Sequence, residues 1–311
     1  MKQHTPPFSP PFSPPYLPLF LKKLFKNYWR SLSLACLLIV GCAQQSEAAI
    51  LVFDFGGVLG KMPQTSMAIK ELGLGRLLTY TLFGLKNPAH LKELMFKVLV
   101  DLYGEQQEDA GYPCACDGNT KLPAVLCDWL AGRVLGSEII EQTNQCIDKG
   151  ECDHLLSSRQ EKRLIKEIVR IAFDPEIHGK YMRPLKETAA LIKEIAIEHP
   201  EHTLMILSNY DLPGFQAIYN NPLMQKELFC YFKPHNIIIS GTTGLLKPDP
   251  CIFTQELIQD YSLEDAIKRH EVFFIDDQKE NIAVAEQCGI QGILFTTCAA
   301  LRGKCNTFGI I

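Results

Sequence analysis

The 311-residue chain has no surplus of positive charge. Its 31 Lys and Arg stand against 35 Asp and Glu, a formal net charge of -4. No long-range field draws nucleic acid to such a chain, and an anionic ligand would need a local cation or a metal. The sequence also lacks an apolar run near the roughly 20 residues that a bilayer crossing takes. The 12 cysteines include no Cys-x-x-Cys pair, so the usual zinc-knuckle spacing is missing. Between about 61 and 180 no run resembles a buried strand. What remains is ordinary for a globular protein, 47% hydrophobic and 21% charged, and long enough for one large or two modest domains.

Residues 1–48 differ from the rest. The repeat PPFSPPFSPPY, Pro6 to Tyr16, cannot enter helix or sheet interiors and reads as disordered. Lys22, Lys23, Lys26 and Arg30 precede the short apolar stretch Leu32 to Val40, and small residues follow. Basic, apolar and small segments in that order describe an export signal. Two processing sites are compatible with it. Ile39-Val40-Gly41-Cys42 resembles a lipobox, which would lipidate Cys42 and give the only membrane attachment expected; Ser46-Glu47-Ala48 resembles an ordinary cleavage site. The expected location is the periplasm or cell envelope. A cytoplasmic enzyme with an over-long start is the alternative, and the length of chain ahead of the basic residues favours it. Cys114, Cys116, Cys127, Cys146 and Cys152 lie close in sequence and could form disulfides in an oxidising compartment. Cys230, Cys251, Cys288, Cys298 and Cys305 fall in segments that read as core.

Ile50-Leu51-Val52-Phe53 is a continuous apolar run, as expected for a strand covered on both faces. Helical spacing then runs through Met67–Leu82, Leu91–Tyr103, Val125–Leu135, Glu138–Ile147 and Ser158–Phe173, so 61–180 reads as an all-helical insertion. Strand and helix alternate afterwards: strands at Thr203–Leu207, Asn236–Ser240, Glu271–Ile275 and Gly292–Phe295, helices at Leu185–Glu198, Cys251–Asp260 and Glu280–Cys288. The fold class is α/β, a doubly wound parallel sheet built from 49–60 and 181–311. Its strand ends carry Asp54, Ser208-Asn209, Lys247 and Asp276-Asp277. Ligands bind at the carboxyl edge of such sheets. A carboxylate nucleophile, a hydroxyl, an ammonium and an acidic pair suit phosphoryl transfer, and clustered carboxylates suit Mg²⁺. Singly, each is as compatible with a helix cap or a solvated loop.

The stretches ILVFDFGGVL, LMILSNYD, LLKPDPCIF and VFFIDDQKEN, in that order, resemble the haloacid dehalogenase superfamily of hydrolases. The resemblance spans Ile50 to about Phe295, with the insertion in the place of that family's helical cap. It implies Asp54 as a nucleophile forming an aspartyl-phosphate, and Ser208, Asn209 and Lys247 as phosphate-binding groups. It also implies Asp54, the Gly56 carbonyl, Asp276 and Asp277 as Mg²⁺ ligands. Asp249 would orient Lys247 or cap the next helix; Gln278 and Asn281 are less firmly placed. One departure stands out: the family's usual acid–base Asp, two residues after the nucleophile, is Gly56 here. The expected activity is hydrolysis of a small phosphorylated metabolite. The alternatives are a phosphate-binding or regulatory module without turnover and, with less support, a 2-haloacid dehalogenase.

Overall fold

The computed structural model describes residues 48–73, 75, 88–105 and 123–311; the signal-like segment, Cys42, Cys114 and Cys116 lie outside them. The described elements are strands β1 (Ile50–Phe53), β2 (Gly60–Lys61), β3 (Arg183–Pro184), β4 (Thr203–Ser208), β5 (Ile237–Ile239), β6 (Val272–Asp276) and β7 (Gln291–Leu294). The helices before β4 are α1 (Gln64–Leu72), α2 (Pro88–Tyr103), α3 (Ala124–Leu130), α4 (Gly136–Lys149), α5 (Arg159–Phe173), α6 (Pro175–Tyr181) and α7 (Lys186–Glu198). After it come α8 (Leu212–Tyr219), α9 (Pro222–Glu227), α10 (Ser240–Thr243), the π-helix α11 (Ile252–Gln259), α12 (Glu264–Lys268), α13 (Lys279–Gln287) and α14 (Cys298–Thr307).

Five strands form one sheet in the order β5-β4-β1-β6-β7, and every pairing is parallel. Alternation along β1 splits the core in two. Leu51 and Phe53 point into a cluster with Ile206, Ile275, Leu191 of α7, Phe215 of α8 and Leu301 of α14. Val52 points the other way, against Met205, Phe274, Phe253 of α11 and Ala285 of α13. A strand covered on both faces needs apolar residues at successive positions, which is why β1 reads as an unbroken run. The register sets Phe53 beside Ile206 and Ile275, so β1, β4 and β6 bring their next residues to one edge.

The helices between β2 and β3 bury a separate apolar cluster. Leu91, Leu94, Met95, Val98 and Leu99 line one stripe of α2, packed on Ile139 of α4 and on Leu164, Ile165, Val169 and Phe173 of α5. The i, i+3, i+4, i+7 spacing places them on one face. Two strands of two residues each, β2 and β3, pair antiparallel where the chain leaves and re-enters the sheet.

Several boundaries differ from the sequence expectation. The helix expected over Val125–Leu135 stops at Leu130, because Gly132 takes a left-handed φ of +72°. The next helix starts at Gly136, where the Glu138 carboxylate accepts from Leu135 N–H. Helices α6, α8 and α9 are not among the sequence expectations. Each begins at a proline-containing start capped by an Asp or Asn: Asp174, Asp211 and Asn221 accept from Glu176, Gly214 and Leu223 N–H. Proline in the first turn costs a helix nothing, so these short signals mark starts rather than loops. Cys146 and Cys152 form a disulfide, and Cys127 is also disulfide-bonded. Cys305 is buried as expected, whereas Cys230 is exposed, beyond β4 in a short 3₁₀ turn.

Candidate active site

Asp54 follows β1 directly, and its backbone N–H donates to Ile275 O of β6 at 2.8 Å. Asp276 closes β6, Ser208 closes β4, and Lys247 lies on the loop after β5; all four side chains are buried. The Lys247 ammonium donates to Asp54 Oδ1 at 2.7 Å and to Asp276 Oδ2 at 2.7 Å. It also lies over the Phe274 ring, 5.2 Å from the centroid. Burial pulls the pKa of this lysine down, but Asp54 and Asp276 hold it above the ordinary range. Burial pushes the Asp54 carboxyl upward; Lys247 pulls it down, while Asp276 and Asp277 add to the rise. Burial and the neighbouring Asp276 raise Asp277 as well. Taking two carboxylates, Asp54 and Asp276, and one ammonium out of water is costly, while Asp277 stays exposed beside them. Chains keep such clusters where they act on charge.

Two residues that the sequence places only loosely hold Asp276. Its Oδ1 accepts from Gln278 N–H at 2.8 Å, and its Oδ2 accepts from Asn281 Nδ2 at 3.0 Å. Asn209 does something the sequence does not suggest. Its amide makes a reciprocal pair with the Lys247 backbone, donating to Lys247 O at 2.7 Å and accepting from Lys247 N–H at 2.8 Å. The end of β4 thus fixes the loop that carries the ammonium. Asp249 caps the following helix, accepting from Cys251 N–H at 2.8 Å, so of its two expected roles the structure shows the cap.

Carboxylate oxygens of Asp54, Asp276 and Asp277 lie within 4.8 Å of one another. A hard divalent cation suits that donor set. Gly57 has a left-handed φ of +82°, and a Cβ there would fall 2.4 Å from Asp277 Oδ2 and push that carboxylate aside. Gly56 is different. A Cβ on it would meet nothing closer than Asp54 Oδ2 at 4.0 Å, so the position has space for a side chain it does not carry. The trio fits Mg²⁺. A second trio, His199, Glu201 and His202, does not fit a metal. His202 Nδ1 accepts from Ala49 N–H at 3.0 Å and Nε2 faces Ile310 O at 2.8 Å, so both ring nitrogens are used.

A cleft of about 1280 Å³ adjoins these residues, with Gly56, Gly57 and Asp277 in its wall and residues of α1, α2, α5, α6, the start of α7 and 295–298 among the rest. Every sequence-expected site residue lies at or beside the carboxyl edge of the sheet.

The fold is similar to that of haloacid dehalogenase-type enzymes. A HAD family enzyme from Bacteroides thetaiotaomicron, solved with magnesium and inorganic phosphate, aligns at 16% identity over 80% of this chain and 94% of that one, TM-score 0.44. A predicted HAD-like hydrolase from Porphyromonas gingivalis aligns at 19% identity over 80% and 91%, TM-score 0.39. L-2-haloacid dehalogenase from Xanthobacter autotrophicus aligns at 15% identity over 85% and 84%, TM-score 0.43. No protein-family model and no curated protein matches the chain.

Proposed function

We propose that the protein is a Mg²⁺-dependent phosphomonoester hydrolase that uses Asp54 as its nucleophile. The observation that carries this reading is the cluster of Asp54, Asp276 and Asp277, with the first two buried and both held by Lys247. Asp54 Oδ1 is held by Lys247, while Oδ2 faces Gly56. One Asp54 oxygen attacks phosphorus, the P–O bond to the alcohol breaks, and an aspartyl-phosphate forms. Water then attacks phosphorus, phosphate leaves and the carboxylate is regenerated. Lys247 offsets the charge on Asp54 and the transferring group, and Ser208 with the Asn209 backbone N–H binds the phosphoryl oxygens. Asp54, the Gly56 carbonyl, Asp276 and Asp277 would hold Mg²⁺, which supplies further charge neutralisation. The helical insertion, residues 61–180, acts as a cap that selects a small phosphorylated metabolite.

Gly56 gives the leaving alcohol no side-chain proton, so that proton comes from water. The same glycine favours a second reading, a phosphate-binding module without turnover. The test is p-nitrophenyl phosphate with Mg²⁺, whose good leaving group needs little acid. Turnover that stops with a chelator and in Asp54→Asn is the expected result. No metal-dependent hydrolysis in a broad phosphate panel would favour the module. Halide release without metal would instead support a dehalogenase, a chemistry that gives the acidic pair Asp276-Asp277 no cation to hold.

Location follows the same proposal. The disulfide between Cys146 and Cys152 suits an oxidising compartment and so an exported protein, attached to membrane only if Cys42 is lipidated. Nucleic acid is not an expected partner.

A further inference from the structure

We propose that the ester taken by this site carries an extended apolar alcohol, alkyl or aryl, rather than a polyhydroxylated one. This rests on the phosphomonoesterase reading of Asp54 and names the substrate class of that site. The cleft next to Asp277 and Gly56 holds about 1280 Å³, more than the roughly 300–1,000 Å³ of most small-molecule sites. Its wall is built from Met67, Leu72, Leu91, Met95 and Met182, all buried. Methionine is unbranched and polarisable, so such a wall adapts to apolar groups of varied shape.

Most polar residues of the lining are exposed or already hydrogen-bonded. Lys61, Lys92, Lys186, Glu187 and Thr296 are exposed, while Thr188 is buried and hydrogen-bonds Cys298. His178 and Tyr210 belong to the wall but satisfy each other. His178 Nε2 lies 2.9 Å from Ala172 O and therefore carries the hydrogen, so Nδ1 accepts from Tyr210 OH at 2.9 Å. Burial holds His178 below its ordinary pKa, which keeps the ring neutral. Thr297 Oγ1 accepts from Ala300 N–H at the start of α14, and Asp277 belongs to the carboxylate trio. Among the described residues, the interior of the cleft therefore offers few open partners to a sugar's hydroxyl groups. Hydroxyls stripped of water without partners are penalised, while each buried methylene gains.

The experiment compares n-alkyl phosphates from ethyl to octyl, glucose 6-phosphate and p-nitrophenyl phosphate, all with Mg²⁺. The expected result is a kcat/KM that climbs about fourfold per methylene. Glucose 6-phosphate should fall at least about 100-fold below hexyl phosphate. Met95→Asn and Ile171→Asn, the latter in the part of the wall given by α5, should each flatten the dependence on chain length. Hydrolysis of p-nitrophenyl phosphate with a flat alkyl series, or with glucose 6-phosphate preferred, would overturn the inference and leave the phosphatase reading standing. If no ester turns over, the phosphatase reading is the one that fails. Calorimetric binding of the same alkyl phosphates in Mg²⁺ then decides the ligand class. Affinity rising with chain length and a negative heat-capacity change supports an apolar ligand, and affinity independent of chain length rules it out.

Discussion

Gly56 and Gly57 are adjacent and structurally unlike. At Gly56 the backbone has space, since a Cβ there would lie no closer to any neighbour than 4.0 Å, the distance to Asp54 Oδ2. Gly56→Asp should therefore fold, and should place a carboxyl group beside the nucleophile. General acid–base assistance is worth about 10²–10⁴-fold. The expected gain falls on alkyl phosphates, whose leaving groups need a proton, with little change for p-nitrophenyl phosphate; steady-state rates on the two substrates check it. At Gly57 the left-handed φ strains any other residue, and a Cβ would fall 2.4 Å from Asp277 Oδ2, so a side chain there must move Asp277. Gly57→Ala must displace Asp277 and should raise the Mg²⁺ concentration needed for half-maximal rate by about 10–100-fold, as loss of support for a metal ligand usually does. A Mg²⁺ titration of the rate reads this directly. Asp54, Lys247 and the Asp276-Asp277 pair are legible in sequence because each ends or follows an apolar run. The clamp by Asn209 on Lys247 is not, because its partners are backbone atoms 38 residues away.

At the scale of elements, α1 is the piece of the cleft wall tied down by charge. Glu71 near its end accepts from Arg170 of α5 at 2.9 Å and from Lys180 and Tyr181 of α6, each at 2.8 Å. Hydrogen bonds from Lys180, Arg170 and Tyr181 draw its pKa from the ordinary 4.5 down to about 2. The folded state thus binds this proton more weakly than the unfolded chain does. The stabilisation is present in full above pH 4.5 and is lost as pH falls through about 2. Arg170 and Lys180 are partly or largely exposed, so screening limits the contribution to about 1 kcal/mol. Glu71→Gln should lower stability by that amount at pH 7, and the difference from the native chain should shrink on acidification; denaturant unfolding at pH 7 and pH 3 tests both. Sequence periodicity finds the stripe that α2 buries but not this tie, since Glu71 and its partners lie about 100 residues apart. Helices α6, α8 and α9 are too short for periodicity to show. Their starts are written in Asp174-Pro175, Asp211-Leu212-Pro213 and Asn221-Pro222, local chemistry that a search for apolar spacing passes over.

For the whole molecule, the apolar clusters on the two faces of the sheet and among the helices between β2 and β3, together with the disulfides, set stability. The Cys146–Cys152 bridge has a sequence separation of only 6, and a loop of that size contributes roughly 2 kcal/mol through the unfolded chain. Protein purified unreduced from its host should show an intact mass with Cys146 and Cys152 oxidised and with the signal-like segment removed. Replacing Cys146 and Cys152 together by serine, which leaves the Cys127 disulfide intact, should then lower the unfolding free energy by about that amount. A mature chain that begins at Met1 with all thiols free would remove the case for export. What the sequence determined by itself was the alternation of buried strand and helix, the helical insertion, and the residue types at the strand ends. Those are local properties: a strand covered on both faces must be apolar at every position, and the charge that ends it stands out. The tertiary structure decided what those ends do together. Parallel register brings β1, β4 and β6 to one edge, so that Lys247 meets two carboxylates from different strands. It also decided that the position two residues after Asp54 has room for an acid, and that the cleft reaching it is walled with methionine and leucine. Such placements depend on distances between residues far apart in the chain, and no local pattern encodes them.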